Sequence, residues 1–184
     1  MPKFRGFIAI DIDSFQKLVE FEREIKNSGA NLKLVEPENI HLTLKFLGDT
    51  DELLIDKIEE IMRESVKDIE PFSIKLKSAG VFPNERYIKV LWIGIQNGEI
   101  IGKIANKIDD KISDLGFKKE KRKFSVHLTI ARVKSAKNKD KLMQIIEKYR
   151  DVEFTNIIVD SIKLKKSELT QKGPIYTTLK EIKL

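Results

Sequence analysis

A two-lobed α+β fold, with a pseudo-twofold relation produced by internal duplication, is predicted by three observations. The tetrad His41-Leu42-Thr43-Leu44 returns as His127-Leu128-Thr129-Ile130, and the two copies hold the only two histidines of the chain. The copies lie nearly half of the 184 residues apart. Each sits in a predicted strand that is followed by a helix and then by two further strands, as two α+β lobes packed on one another require. Each lobe would then bring its tetrad strand to a shared cleft. No Pro/Gly/Ser-rich linker divides the halves, so residues 1–184 are expected to form a single compact domain of two lobes.

The elements follow in order. Arg5 to Asp11 alternates as a strand, and a helix is predicted over 14–28, with Ser14 as its N-cap and Ser28-Gly29 at its stop. Ile40 to Leu47 is the first tetrad strand, ended by Gly48-Asp49-Thr50. Asp49 or Thr50 caps a helix over 52–67, where Leu54, Ile55, Ile58, Ile61 and Met62 form one apolar stripe. Phe72 to Phe82 and Tyr87 to Ile95 read as a hairpin joined through Pro83-Asn84-Glu85-Arg86. A third helix covers 98–115 and stops at Gly116. The second tetrad strand runs over 124–133, a fourth helix over 138–149, and strands over 153–166 and 174–183.

Composition narrows the function classes. Hydrophobic residues at 41% and charged residues at 35% describe a globular chain and not a disordered one. No apolar run reaches the roughly 18–20 residues of a membrane span, and no membrane association is expected. The opening Met1 to Ile10 alternates like a strand and lacks the apolar core and cleavage site of a secretory signal. Cysteine is absent, which removes disulfides and thiolate metal sites; a cytoplasmic location is the expectation. Lys and Arg outnumber Asp and Glu by 35 to 29, for a net charge of +6. Basic residues gather at Lys118-Lys119-Glu120-Lys121-Arg122-Lys123, before the second tetrad, and from Arg132 to Lys141, after it. That placement fits a phosphate-bearing partner, RNA or a nucleotide.

The tetrads themselves suit a phosphate. Side chains on a strand alternate faces, so His41 and Thr43 share one face while Leu42 and Leu44 enter the core. The second copy repeats this with His127 and Thr129 against Leu128 and Ile130. Each strand offers an imidazole and a hydroxyl about 6–7 Å apart. Between two such strands a tetrahedral phosphate can meet all four groups, the hydroxyls at non-bridging oxygens and the imidazoles at the attacking and leaving oxygens. Phosphodiester cleavage needs one proton removed and one delivered, and imidazole does both near neutral pH. A metal centre is disfavoured, because zinc wants three or four ligands and the nearest carboxylates, Asp49 and Asp51, read as helix caps. An RNA-binding module whose histidines merely contact phosphate is the non-enzymatic alternative.

Further motifs accompany the tetrads: Phe7-Ile8-Ala9-Ile10, His41 through Gly48, Gly80-Val81-Phe82-Pro83 with Val90-Leu91-Trp92-Ile93-Gly94, His127 through Val133, and Ser167-Glu168-Leu169-Thr170 with Gly173-Pro174-Ile175-Tyr176. Taken in order, these resemble the 2H phosphoesterase superfamily, and within it the LigT-type RNA 2′,3′-cyclic phosphodiesterases, also called 2′-5′ RNA ligases. The resemblance implies antiparallel sheets with helices on the outer side and a central cleft, no metal or other cofactor, and RNA ends bearing a 2′,3′-cyclic phosphate as substrate. It implies a 2′-phosphate product, with ligation to a 2′-5′ bond as the reverse reaction. No obligate protein partner is implied. By resemblance His41 is the proton donor to the leaving 3′ oxygen and His127 the proton acceptor from water. Thr43 and Thr129 hold phosphate oxygens, and Arg132 adds positive charge. Val126 and Gln171 stand where family members commonly have proline. In an unbroken strand Arg132 would face away from His127, and a bulge after Ile130 would bring it round. Lys45 shares parity with His41 and is the other candidate cation of the cleft. Tyr176 is placed near the cleft mouth by the Gly173-Pro174 turn, whereas Phe46 and Trp92 read as core.

Overall fold

The computed structural model describes residues 1–184. In chain order the elements are β1 (Lys3–Asp11), α1 (Gln16–Asn27), β2 (Leu32–Leu34), β3 (His41–Asp51), α2 (Ile55–Ser65), β4 (Phe72–Pro83), β5 (Ile88–Gln96), α3 (Glu99–Ile112), β6 (His127–Val133), α4 (Lys139–Lys148), β7 (Glu153–Val159), β8 (Ser161–Thr170) and β9 (Gly173–Lys183). The strands form two antiparallel sheets, one ordered β3-β1-β8-β9 and the other β2-β6-β5-β4-β7. The hairpin β4–β5 that follows β3 joins the sheet of β6, and the hairpin β8–β9 late in the chain joins the sheet of β3. The two halves of the sequence therefore exchange hairpins.

Helices cover the outer faces. α2 and α3 pack together and against β9 and β3, while α1 and α4 pack together and against β7 and β4. Each helix buries a stripe at helical spacing, as in Ile101, Ile104, Ala105, Ile108 and Ile112 of α3. One apolar core is continuous through both sheets. Leu42, Leu44, Leu128 and Ile130 are all buried in it, each worth about 1.5–3 kcal/mol, so the core fixes which face of each tetrad looks outward. No helix is long and apolar enough to cross a membrane.

Three local expectations are corrected. Ser14 does not cap α1; Phe15 takes that position with no side-chain bond, because its ring packs against Phe154 and sets where the helix begins. Of the residues expected to cap the next helical segment, Asp51 does so, accepting from the Leu53 amide at 3.0 Å, and Asp49 and Thr50 do not. The strand expected over 153–166 is two, β7 and β8, in different sheets. Buried Val159 and Ile162 are three residues apart, a break in two-residue periodicity that marks the crossing. β2, at three residues, is too short to show alternation in the sequence.

Both tetrad strands carry an irregularity at the same place. Between β1 and β3, Ala9 pairs with Thr43 and Ile8 with Lys45, which leaves Leu44 extra. Between β5 and β6, Trp92 pairs with Thr129 and Leu91 with Ala131, which leaves Ile130 extra. Each bulge falls on the fourth tetrad residue and reverses the parity of the residues immediately beyond it.

Candidate active site

The histidines are held in matching poses. His41 Nδ1 lies 2.6 Å from the Asn39 carbonyl oxygen, and His127 Nδ1 lies 3.2 Å from that of Ser125. In both cases the acceptor is the residue two before the ring. A carbonyl can only accept, so Nδ1 carries the hydrogen and Nε2 is the atom free to take or give a proton. The Asn39 side chain in turn donates to the Pro174 carbonyl at 2.9 Å, which ties the approach to His41 to the β8–β9 hairpin.

The surroundings of the two rings differ. His41 is flanked by Phe7, with ring centroids 5.0 Å apart, and meets the Tyr176 ring edge-on at 5.4 Å. Burial holds the His41 pKa below the usual imidazole value; the Asn39 carbonyl opposes this, Lys165 adds to it and Asp11 opposes it. His127 meets Phe82 edge-on at 5.0 Å. Its pKa is also lowered, by burial against the opposing Ser125 carbonyl, with no charged neighbour contributing.

Thr43 and Thr129 occupy the same sheet faces as their histidines, since Asp11 and Ala9 pair with His41 and Thr43, and Gly94 and Trp92 with His127 and Thr129. The bulge at Ile130 turns Arg132 onto the face of His127, resolving the conflict of parity. Its charge is felt by Tyr176 on the other sheet, whose pKa is raised by burial and opposed by Arg132 and Arg5. The two tetrad faces thus look into one cleft, with β3 running against β6.

Lys45 is a correction. The equivalent bulge at Leu44 turns it off the face of His41, and it is only 3% exposed. Its Nζ lies 2.6 Å from Asp109 Oδ1 on α3 and 2.7 Å from the Lys118 carbonyl. It fastens β3 to the segment leading to the second tetrad and offers no charge to the cleft. The same flip exposes Phe46, which is 66% exposed instead of core. Phe46 and Arg132 occupy the same place in the two repeats. Trp92 is also not core: it lies on the cleft face beside Phe82, ring centroids 5.2 Å apart. Gly80 lies directly under it, and a Cβ there would collide with the indole.

A match to the family described as the AKAP7 2′-5′ RNA ligase-like domain covers residues 7–184. The chain belongs to this family, the LigT-type phosphoesterases. Among relatives of this LigT-type chain, the RNA 2′,3′-cyclic phosphodiesterase of Methanocaldococcus jannaschii is 48% identical over 179 residues, covering 96% of this chain and 99% of that protein. The enzyme of the same name from Methanothermobacter thermautotrophicus is 40% identical over 184 residues, covering 99% and 100%. TT0787 of Thermus thermophilus superposes with a TM-score of 0.81 at 25% identity, covering 98% and 97%. Escherichia coli LigT complexed with 3′-AMP has the same fold, with a TM-score of 0.73 at 22% identity over 100% and 99%.

Sequence reasoning missed several cleft groups of this LigT-type site. Asp11 pairs with His41 across β1–β3 and takes Lys165 at 2.6 Å and Lys163 at 2.9 Å. The equivalent positions beside His127 are Gly94, Phe82 and Gly80, which carry no charge. Lys33 on β2 pairs with Arg132. The alternation of Lys163 and Lys165 was visible as a two-residue period, but its register against β1 was not.

Proposed function

We propose that this LigT-type phosphoesterase hydrolyses the 2′,3′-cyclic phosphate at RNA 3′ ends to a 2′-phosphomonoester, without a metal, in one catalytic unit of two interleaved lobes. The carrying observation is the pair of histidines, each with Nδ1 committed to the carbonyl two residues back and Nε2 left for chemistry. The curated relatives that share most of this chain bear the name of that activity.

Atoms and protons balance in the proposed reaction. A water oxygen attacks phosphorus while His127 Nε2 takes its proton. The bond from phosphorus to O3′ breaks, and His41 Nε2 delivers a proton to O3′. The product is a 2′-phosphate and a free 3′-hydroxyl, and solvent resets both rings. Thr43 and Thr129 donate to the non-bridging oxygens, whose charge grows in the phosphorane. Arg132 and Tyr176 are the further substrate contacts. No group of three or more His, Cys, Asp or Glu side chains converges to hold a metal ion, and the acid–base pair already supplies both proton transfers. The site of action is the cytoplasm, where RNA ends of this kind would be met.

The test is incubation with an oligonucleotide ending in a 2′,3′-cyclic phosphate, in EDTA, with product ends mapped. The expected product is the 2′-phosphate, and His127→Ala should lose at least about 100-fold in rate. No hydrolysis in EDTA, or an unchanged rate in that variant, contradicts the reading.

A further inference from the structure

Lys33 and Arg132 stand directly opposite each other on β2 and β6. Leu32 and Leu34, on either side of Lys33, pack on the core, so Lys33 takes the other face, the one that carries His127 and Thr129. Like charges in register on one face of a sheet repel. Neither residue forms an ion pair. Beside His41, by contrast, the cations are answered: Lys163 and Lys165 share Asp11. Two unanswered cations held side by side by strand register are relieved by a bound anion.

The geometry says which anion. Ile130 and Ala131 are both buried, so Arg132 is the next cleft-facing residue after Thr129. One such step along a strand is about 6–7 Å, comparable to the separation of successive phosphates in an extended nucleic-acid strand. The tip of the β8–β9 hairpin walls the far side. Gly173 there has φ +127°, a conformation that favours glycine, and a Cβ built on it would stand 3.1 Å from Lys33 Nζ, which places the hairpin tip beside the lysine.

Resting on the reading of the tetrads as a cyclic-phosphate site, we propose that Lys33 and Arg132 bind the phosphodiester immediately 5′ of the terminal nucleotide. The subsite makes the enzyme select RNA ends over cyclic mononucleotides that lack this phosphate. The RNA body leaves the cleft across the β2–β6 edge, toward the basic run that follows Arg132.

Two substrates identical but for one phosphate test this: adenosine 2′,3′-cyclic phosphate and the same compound carrying a 5′-phosphate, which stands in for the diester. The added phosphate should raise kcat/KM about tenfold or more. In Lys33→Gln the ratio should fall to within about twofold, and Lys33→Arg should retain it. Lys57→Gln, an exposed change on α2, removes the same charge remote from the cleft and should keep the native ratio. A ratio near one in the native enzyme, or a full ratio in Lys33→Gln, overturns the subsite while turnover of the unphosphorylated compound upholds the cyclic phosphodiesterase reading. No turnover of either compound overturns that reading, and the subsite with it.

Discussion

His41 and His127 share a pose and differ in their company. Both rings are held below the ordinary imidazole value, chiefly by burial. The acid must be protonated and is lost as pH rises through its lowered pKa. The base must be neutral and is lost as pH falls through its own. Both limbs of the profile therefore move toward acid, and the optimum of kcat/KM should lie below about pH 6.5, with apparent values that belong to the coupled pair. The charges beside His41 tune this further. Lys165 lowers its pKa and Asp11 raises it. Removing the cation in Lys165→Met also frees Asp11 from one partner, and both effects favour protonated His41. The profile of that variant should shift to higher pH. A pH–rate series on both proteins checks the sign, and a shift to lower pH would contradict the assignment.

The bulges decide what each tetrad strand presents. Simple alternation placed His41 and Thr43, and His127 and Thr129, on shared faces because all four precede the extra residue. It failed immediately after, at Lys45 and Phe46, because a bulge is a property of two paired strands and leaves no mark in one. Arg132 was legible only as a conflict between parity and expected role, and the register at Ile130 resolves it. The structural role of Lys45 makes a sharp prediction. Asp109 accepts the Lys45 ammonium and also the Glu120 amide, at 3.2 and 3.1 Å. In Lys45→Ala the partly buried carboxylate loses its charge-assisted hydrogen bond, a loss of about 1.5–3 kcal/mol. Replacing both partners, as in Lys45→Met with Asp109→Leu, should recover most of it. Denaturant unfolding measures both. A rise in KM for Lys45→Ala with stability intact would return the residue to the cleft.

Across the whole molecule, the helices and the long strands were readable from local sequence pattern, as the apolar stripe of α3 illustrates. The duplication was readable from the repeated tetrad. The exchange of hairpins between sheets was not, because pairing β8 with β1 across most of the chain depends on contacts that no local pattern encodes. That exchange gives the cleft its asymmetry. It brings Lys163 and Lys165 to Asp11 beside His41, and brings Phe82 to His127. A symmetric pair of tetrads thereby acquires two unlike environments, both aromatic but only that of His41 with charges acting on the ring, which fits a division into acid and base. The most direct test replaces the leaving 3′ oxygen of the cyclic substrate by sulfur, since a thiolate departs without a proton. Hydrolysis of the sulfur compound by His41→Ala should return close to the native rate, while His127→Ala should remain inactive on it. Rescue of His127→Ala instead, or of neither variant, would contradict the account.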